Sequence, residues 1–383
     1  MKRGMVLASS IVAAACGSAN QGTPAGGDAP SSAIGCAGTS LLANPIDPKA
    51  RGPWPVGART VTIGRLTAEV WYPAAPGSDA GKDAATYDIR AQLPPAEAAK
   101  IPDADNPVQR CDCYRELPLD ETHGPYPVVL FVHGTAAFRH QSLPIVTHWA
   151  SRGFIVIAAD HPGLKLGDFL GMVCNAPASG PQDLSGDLDA ELAALASPSA
   201  DLAFLAGHAD ATRVAVAGHS AGANAAASAT TKPGVQVSIV LAGNTAAASS
   251  PHLASTLFMG GEADAVVSFG SVKTAWSSSP TPRRLVGIGN AGHLVFSDLC
   301  QIQNAAGQDI LTVANAKGVC GANLAGFLFD CKTSYVDGPT GWDVTDYATS
   351  AVLEPTLQCA TGLPDLSTIM QALPAVQLYD QAL

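Results

Sequence analysis

VAVAGHSAGANAAA, residues 214–227, predicts a strand, a sharp turn and a helix in immediate succession. Small apolar residues lead into Gly218-His219-Ser220-Ala221-Gly222, and a run of small helix-forming residues leaves it. Ser220 falls at the apex. A strained strand-to-helix turn pushes a serine Oγ out to where a base and a substrate can reach it. Glycines two residues to either side let the backbone pass where a Cβ would clash. The Gly-x-Ser-x-Gly string carries little weight alone in a chain with 38 glycines. The flanking strand and helix are what make Ser220 a candidate nucleophile.

A serine hydroxyl attacks only when a base removes its proton, and the base needs an acid to orient it. Both are expected further along the chain, on loops that follow strands. Residues 256–261 (TLFMGG) read as a buried strand running into Glu262-Ala263-Asp264, and residues 284–288 (RLVGI) as the next strand, followed by Gly289-Asn290-Ala291-Gly292-His293. This order predicts Asp264 as the acid and His293 as the base, with Glu262 left as a solvated loop carboxylate. His161 also follows a strand, over 154–159, but precedes the serine and reads as a pocket-wall residue. His219 points away from its neighbour Ser220 and reads as packing or support. His123, His140, His148, His208 and His252 default to structure or surface. Two backbone N–H donors are needed for a developing oxyanion. Ala221 supplies one, as the residue after the nucleophile. Thr135 supplies the other, in the loop His133-Gly134-Thr135-Ala136 after a strand over 128–132.

With these residues in place the chain resembles the α/β-hydrolase superfamily. Within it, the chain is similar to dienelactone-hydrolase-like, cutinase (polyester hydrolase) and platelet-activating-factor-acetylhydrolase-like esterases. The resemblance spans about residues 50–300. It is carried by VTIGRLTAEVWYP (61–73), YPVVLFVHGT (126–135), WASRGFIVIAADHPG (149–163), GHSAG (218–222), MGGEADAV (259–266) and Gly292-His293. It implies an α/β fold with a mostly parallel sheet flanked by helices, an insertion over 74–125 before the oxyanion strand, and a disulfide-pinned C-terminal extension over 301–383. It also implies a serine carboxylic-ester hydrolase working through an acyl-enzyme on Ser220, with no cofactor and no metal. Dienelactone hydrolases proper carry a cysteine where Ser220 stands. Cutinase-type enzymes often place an aromatic residue where Thr135 stands, and Phe138 is the nearby substitute. The substrate stays open among small esters, short-acyl or oxidised phospholipids, and polyesters. The alternative is a surface lipoprotein that uses the scaffold for binding without catalysis.

The 383 residues are 47% hydrophobic and 14% charged, the balance of a folded chain. A net charge of −11 with no basic run past Arg3 excludes nucleic acid as a partner. Lys2-Arg3 followed by an apolar segment over 5–15 and Cys16 predicts a signal peptide over 1–16, too short to span a bilayer. Ala13-Ala14-Ala15-Cys16 fits a lipobox that would leave Cys16 lipidated and membrane-anchored. It fits ordinary cleavage equally, so the expected location is exported, as an outer cell-envelope lipoprotein or secreted. Residues 17–44 read as a flexible tether and 45–383 as the hydrolase domain. Eight cysteines besides Cys16 predict up to four disulfides, with the connectivity open. Cys111-Asp112-Cys113 has the wrong spacing for a zinc half-site. Residues 162–186 read as a Gly/Pro-rich loop in which Leu164, Leu166, Phe169, Leu170 and Met172 form an apolar acyl wall or pack on the core. Residues 301–383 carry no motif and read as a helix followed by the pinned extension, or as a small lid.

Overall fold

The structure, a computed structural model, describes residues 32–34 and 39–383. The expected signal peptide, Cys16, Cys36 and most of the tether lie outside the described residues. Ten strands form one sheet: β1 (Val56–Ile63), β2 (Leu66–Pro73), β3 (Tyr114–Arg115), β4 (Tyr126–Val132), β5 (Ile155–Asp160), β6 (Ala209–His219), β7 (Val235–Leu241), β8 (Ser255–Gly261), β9 (Arg283–Ile288) and β10 (Val376–Ala382). Their spatial order is β10-β9-β8-β7-β6-β4-β5-β2-β1-β3. The six strands from β9 to β5 run parallel, β2 and β10 lie antiparallel to β5 and β9, and β1 is antiparallel to β2. Strands covered on both faces read as unbroken apolar runs, and every residue of β4 and β5 is buried.

Among the described residues, seven α-helices of seven residues or more flank the sheet or its loops: α1 (Leu143–Ser151), α2 (Leu166–Cys174), α3 (Leu184–Ala196), α4 (Ala221–Ser228), α5 (Phe269–Ser277), α6 (Ile310–Ala316) and α7 (Gly338–Leu353). Side chains alternate across a strand. Val129, Phe131, Ala215, Ala217, Leu257 and Met259 therefore meet α1 and α7 through Trp149, Val344 and Tyr347. Val128, Leu130, Val214 and Val216 face Leu188, Leu192 and Leu195 of α3. Val240, Phe258 and Leu285 pack under α4 and α5.

Two segments differ from the sequence expectation. Residues 162–186 are not all loop, because α2 occupies 166–174. Its Leu166 and Leu170 lie one helical repeat apart on the inner side, while Met172 is exposed. The C-terminal region is no appendage either. Residues 300–337 are pinned by the Cys174–Cys320 and Cys300–Cys331 disulfides, but α7 then covers the sheet and β10 closes its edge. The helix thus lies between the stretch pinned by these two bridges and the disulfide-bonded Cys359. Within 74–125, a third disulfide joins Cys111 and Cys113, and a small two-stranded sheet pairs Thr86–Asp88 with Val108–Arg110. Cys359 is disulfide-bonded as well.

One buried ion pair ties the ends of the domain together. The Arg152 guanidinium, fully buried after α1, meets Glu354 at the end of α7. Its remaining N–H groups donate to Pro45 O (3.0 Å) and Ala50 O (2.5 Å). Removing one member of such a pair leaves an uncompensated charge in a dry interior. Glu354→Ala is expected to lower the unfolding free energy by about 3–5 kcal/mol, read as a reduced midpoint in urea with an unchanged slope.

Candidate active site

Ser220 sits between the end of β6 and the first turn of α4, with φ 58° and ψ −118°. A non-glycine residue at positive φ costs on the order of 1–3 kcal/mol and persists only where its surroundings impose it. Here they do. A Cβ on Gly222 would lie 2.0 Å from Val132 O, and one on Gly218 2.3 Å from Gly222 O. The start of α4 therefore presses on the end of β4, and the only residues that fit are those the sequence supplies. The Ser220 N–H donates to Leu241 O at 2.9 Å, which leaves the side chain half-buried on the outer side of the turn.

Asp264 and His293 meet as expected. The ring Nδ1 of His293 lies 2.8 Å from Asp264 Oδ2. The other carboxylate oxygen accepts from the Val266 and Val267 N–H groups at 2.7 and 2.8 Å. A carboxylate accepts, so Nδ1 carries the proton and Nε2 keeps its lone pair. Both side chains are buried. Glu262 is exposed, as the sequence suggests. The two rings beside the elbow, His219 and His293, lie 4.6 Å apart. No hydrogen bond joins Ser220 Oγ to the His293 ring in this structure. Catalytic hydrogen bonds of this kind often tighten only around bound substrate.

Thr135 and Ala221 flank the elbow. Among the described residues neither N–H donates to another protein group, so both are free to serve an oxyanion. Gly134, beside Thr135, packs against Ser220 and His219, with its ideal Cβ position 3.2 Å from Ser220 Cβ. Phe138 does not stand in for an aromatic residue at position 135. It is buried with Leu294 and Leu299 and lies 4.6 Å from the His140 ring.

Two sets of residues, only one member of which, His219, the sequence singled out, hold these loops together. The first runs through Gln141 and His219. The Gly134 N–H donates to Gln141 Oε1 (2.8 Å), Gln141 Nε2 donates to His219 Nδ1 (3.1 Å), and His219 Nε2–H donates to His293 O (2.9 Å). A carbonyl can only accept, so the direction of the whole relay follows. It needs a neutral His219, and burial, aided by the neighbouring His293, holds its pKa well below the usual value. The second is Asp330. Its Oδ2 accepts from the N–H groups of Ala265 and His293, both at 3.3 Å. Tyr335 OH reaches Asp330 Oδ1 (3.0 Å) and Ala263 O (3.1 Å). Burial alone would raise the Asp330 pKa, but the bonds from His293, Ala265 and Tyr335 hold it below the ordinary value. The acid loop and the base loop are thus gripped by one carboxylate from the pinned stretch. His219 had been read only as packing or support. Gln141 and Asp330 carry no motif, and nothing local in the sequence marks them.

His161 is a correction. It is fully buried rather than a pocket wall, with Nδ1 3.1 Å from Asp187 Oδ2 and its backbone N–H donating to His133 Nε2 at 3.1 Å. Nearby Glu191 is pushed up to about 8 by burial, with the Asp187 charge adding to it. These groups belong to the interior under the sheet edge. No group of three or more His, Cys, Asp or Glu side chains suited to a metal occurs among the described residues.

Residues 117–241 match the chlorophyllase family, about a third of the chain. The chain is similar in structure to a ferulic acid esterase from Streptomyces cinnamoneus, at 21% identity and a TM-score of 0.57, covering 86% of this chain and 96% of that one. At that identity the likeness establishes the fold. No curated protein sequence matches the chain.

Asp330→Asn keeps the shape of the clamp but removes its charge. Hydrolysis of p-nitrophenyl acetate is expected to slow about 10- to 100-fold, the worth of hydrogen bonds to a charged acceptor. Stopped-flow release of p-nitrophenol, with circular dichroism to confirm the fold, checks this.

Proposed function

We propose that this chain, which has the α/β-hydrolase fold, is a carboxylic-ester hydrolase acting through an acyl-enzyme on Ser220. The observation that carries the proposal is the pairing of Asp264 with His293 on the loops after β8 and β9, two strands that follow the strained Ser220 turn in the order such enzymes require. The likeness in fold to a ferulic acid esterase supports the same chemistry.

With its Nδ1 proton held by Asp264, His293 offers Nε2 as the base. As Ser220 Oγ attacks the ester carbonyl, Nε2 takes the hydroxyl proton and the imidazolium is stabilised by the Asp264 carboxylate. Negative charge moves to the former carbonyl oxygen, where the Thr135 and Ala221 N–H groups, free of protein partners, receive it. Collapse of the tetrahedral intermediate breaks the bond to the leaving alcohol, which takes the proton from His293. Water then attacks the acyl-Ser220 ester with His293 again as base, and the acid is released. Every step is acid–base and nucleophilic chemistry that these side chains supply. The relay from Gly134 to His293 O keeps the donor loop and the base loop in register through this cycle.

We further propose that the chain is exported, with a lipid carried on Cys16. Disulfides at Cys111–Cys113, Cys174–Cys320 and Cys300–Cys331 are at home in an oxidising compartment and support export.

A fluorophosphonate probe is expected to label the protein on Ser220, with labelling abolished by Ser220→Ala. His293→Ala is expected to cut p-nitrophenyl acetate turnover by at least about 10³-fold. Folded protein that neither takes up the probe nor turns over the ester leaves a binding module, and turnover that survives His293→Ala refutes His293 as the base. For the anchor, full-length protein expressed in a bacterium is expected to partition into Triton X-114 detergent phase, and Cys16→Ser into the aqueous phase. Equal partitioning of the two refutes lipidation.

A further inference from the structure

The large apolar side chains that stay exposed are not scattered. Of the eight among the described residues, four lie on two neighbouring elements: Met172 (68% exposed) and Val173 (44%) on α2, and Leu324 (54%) and Phe327 (73%) on the 3-10 turn Ala322–Phe327. The Cys174–Cys320 disulfide joins the end of the first element to the start of the second. The ideal Cβ position of Gly321 lies 2.7 Å from Leu170 Cδ2 and 3.9 Å from Val173 Cγ1, so the two elements are in direct contact. Exposed apolar surface gathered in this way marks a binding surface.

Beneath it lies a cavity of about 90 Å³. Leu166 and Leu170 of α2, Ile310 and Ala314 of α6, and Ala325 and Phe329 beyond it form its walls, and the insertion adds Ile89 and Leu93. The polar residues at its edge are Arg90 and Asn106, and both are already engaged by Asp88. The cavity is partly open to solvent, and an apolar cavity of roughly 150 Å³ suffices for benzene. The smaller volume fits a linear hydrocarbon segment better than a ring. Its walls continue toward the catalytic groups. Leu166, Ile310 and Phe329 pack against the cluster of Ile89, Phe138, Leu294, Leu299 and Ile302. Leu294 follows His293, and Phe138 closes the loop that carries Thr135.

We propose that the space between α2, α6 and the insertion is a binding site for a linear hydrocarbon chain, and that the chain belongs to the ester substrate. The second half of this statement rests on the hydrolase function proposed above; the first half does not. Two parts of the sequence without a motif, the insertion and the pinned stretch, meet here, and the Cys174–Cys320 bridge fixes the wall between them. A chain that fills the cavity and lies along the exposed rim removes apolar surface of both partners from water. Each methylene so buried strengthens binding about fourfold. Substrates with a chain of medium length are then preferred over acetates.

The test separates the two halves. 11-(Dansylamino)undecanoate is titrated into the Ser220→Ala protein, which keeps the cavity but has lost the nucleophile. Saturable binding with a blue shift is expected, weakened about tenfold or more by Ala325→Trp and by Ala314→Phe, two substitutions that fill the space from different walls. In the active protein, kcat/KM for p-nitrophenyl esters is expected to climb from acetate to octanoate. The octanoate-to-acetate ratio is expected to fall about tenfold in either filling variant, and the preferred acyl chain is expected to lengthen beyond octanoate in Leu170→Ala. No saturable probe binding, or binding and chain preference that neither filling variant alters, overturns the proposal. If the probe binds as expected and no ester is turned over, the hydrolase function fails and the chain site stands.

Discussion

The contact between the start of α4 and the end of β4 is the constraint on which the rest of this molecule depends. Gly222 has no room for a Cβ against Val132 O, and Gly218 has none against Gly222 O. That compression forces Ser220 into a backbone conformation it would not choose, and the same compression brings the Thr135 loop alongside it. The strain is small beside the burial of the parallel strands on either side, where apolar area removed from water contributes about 25 cal/mol per Å². The sheet can therefore hold the turn without becoming marginal. Ser220 and the Ala221 N–H are held at the centre of the sheet, and the Thr135 N–H on the short loop that follows β4.

The acid and the base are held differently. They stand on loops beyond β8 and β9, where the sheet alone does not fix their relative position. Asp330 and Tyr335 reach in from the pinned stretch to grip both loops, and His219 ties the base loop back to the elbow through a neutral, directional relay. The Cys300–Cys331 bridge sits next to Asp330 in sequence and anchors the clamp. A region that looked accessory thus does three things: it holds the Asp264 and His293 loops together, it closes the sheet through β10, and it walls an apolar cavity with α2. The surface chemistry follows the same division. Asp264, His293 and Ser220 are gathered at the strand ends, and four of the eight exposed large apolar side chains among the described residues lie where α2 meets the Ala322–Phe327 turn.

Local sequence already determined much of this. The apolar runs of β4 to β9, the strand–turn–helix at Ser220, and the loops after β8 and β9 that carry Asp264 and His293 follow from short stretches whose residue types leave few alternatives. A strand buried on both faces must be apolar throughout, and a turn at positive φ flanked by compressed backbone must carry glycine. Tertiary structure alone decided the rest. His161 looked like a pocket wall because it follows a strand, yet Asp187 and His133 enclose it. The helix over 166–174 was hidden among glycines and prolines, because its stability comes from packing rather than propensity. Gln141 and Asp330 are single polar residues whose partners lie 78 and 37 positions away. Their roles exist only once the chain is closed, since a hydrogen bond between distant segments leaves no periodicity or motif behind in either one.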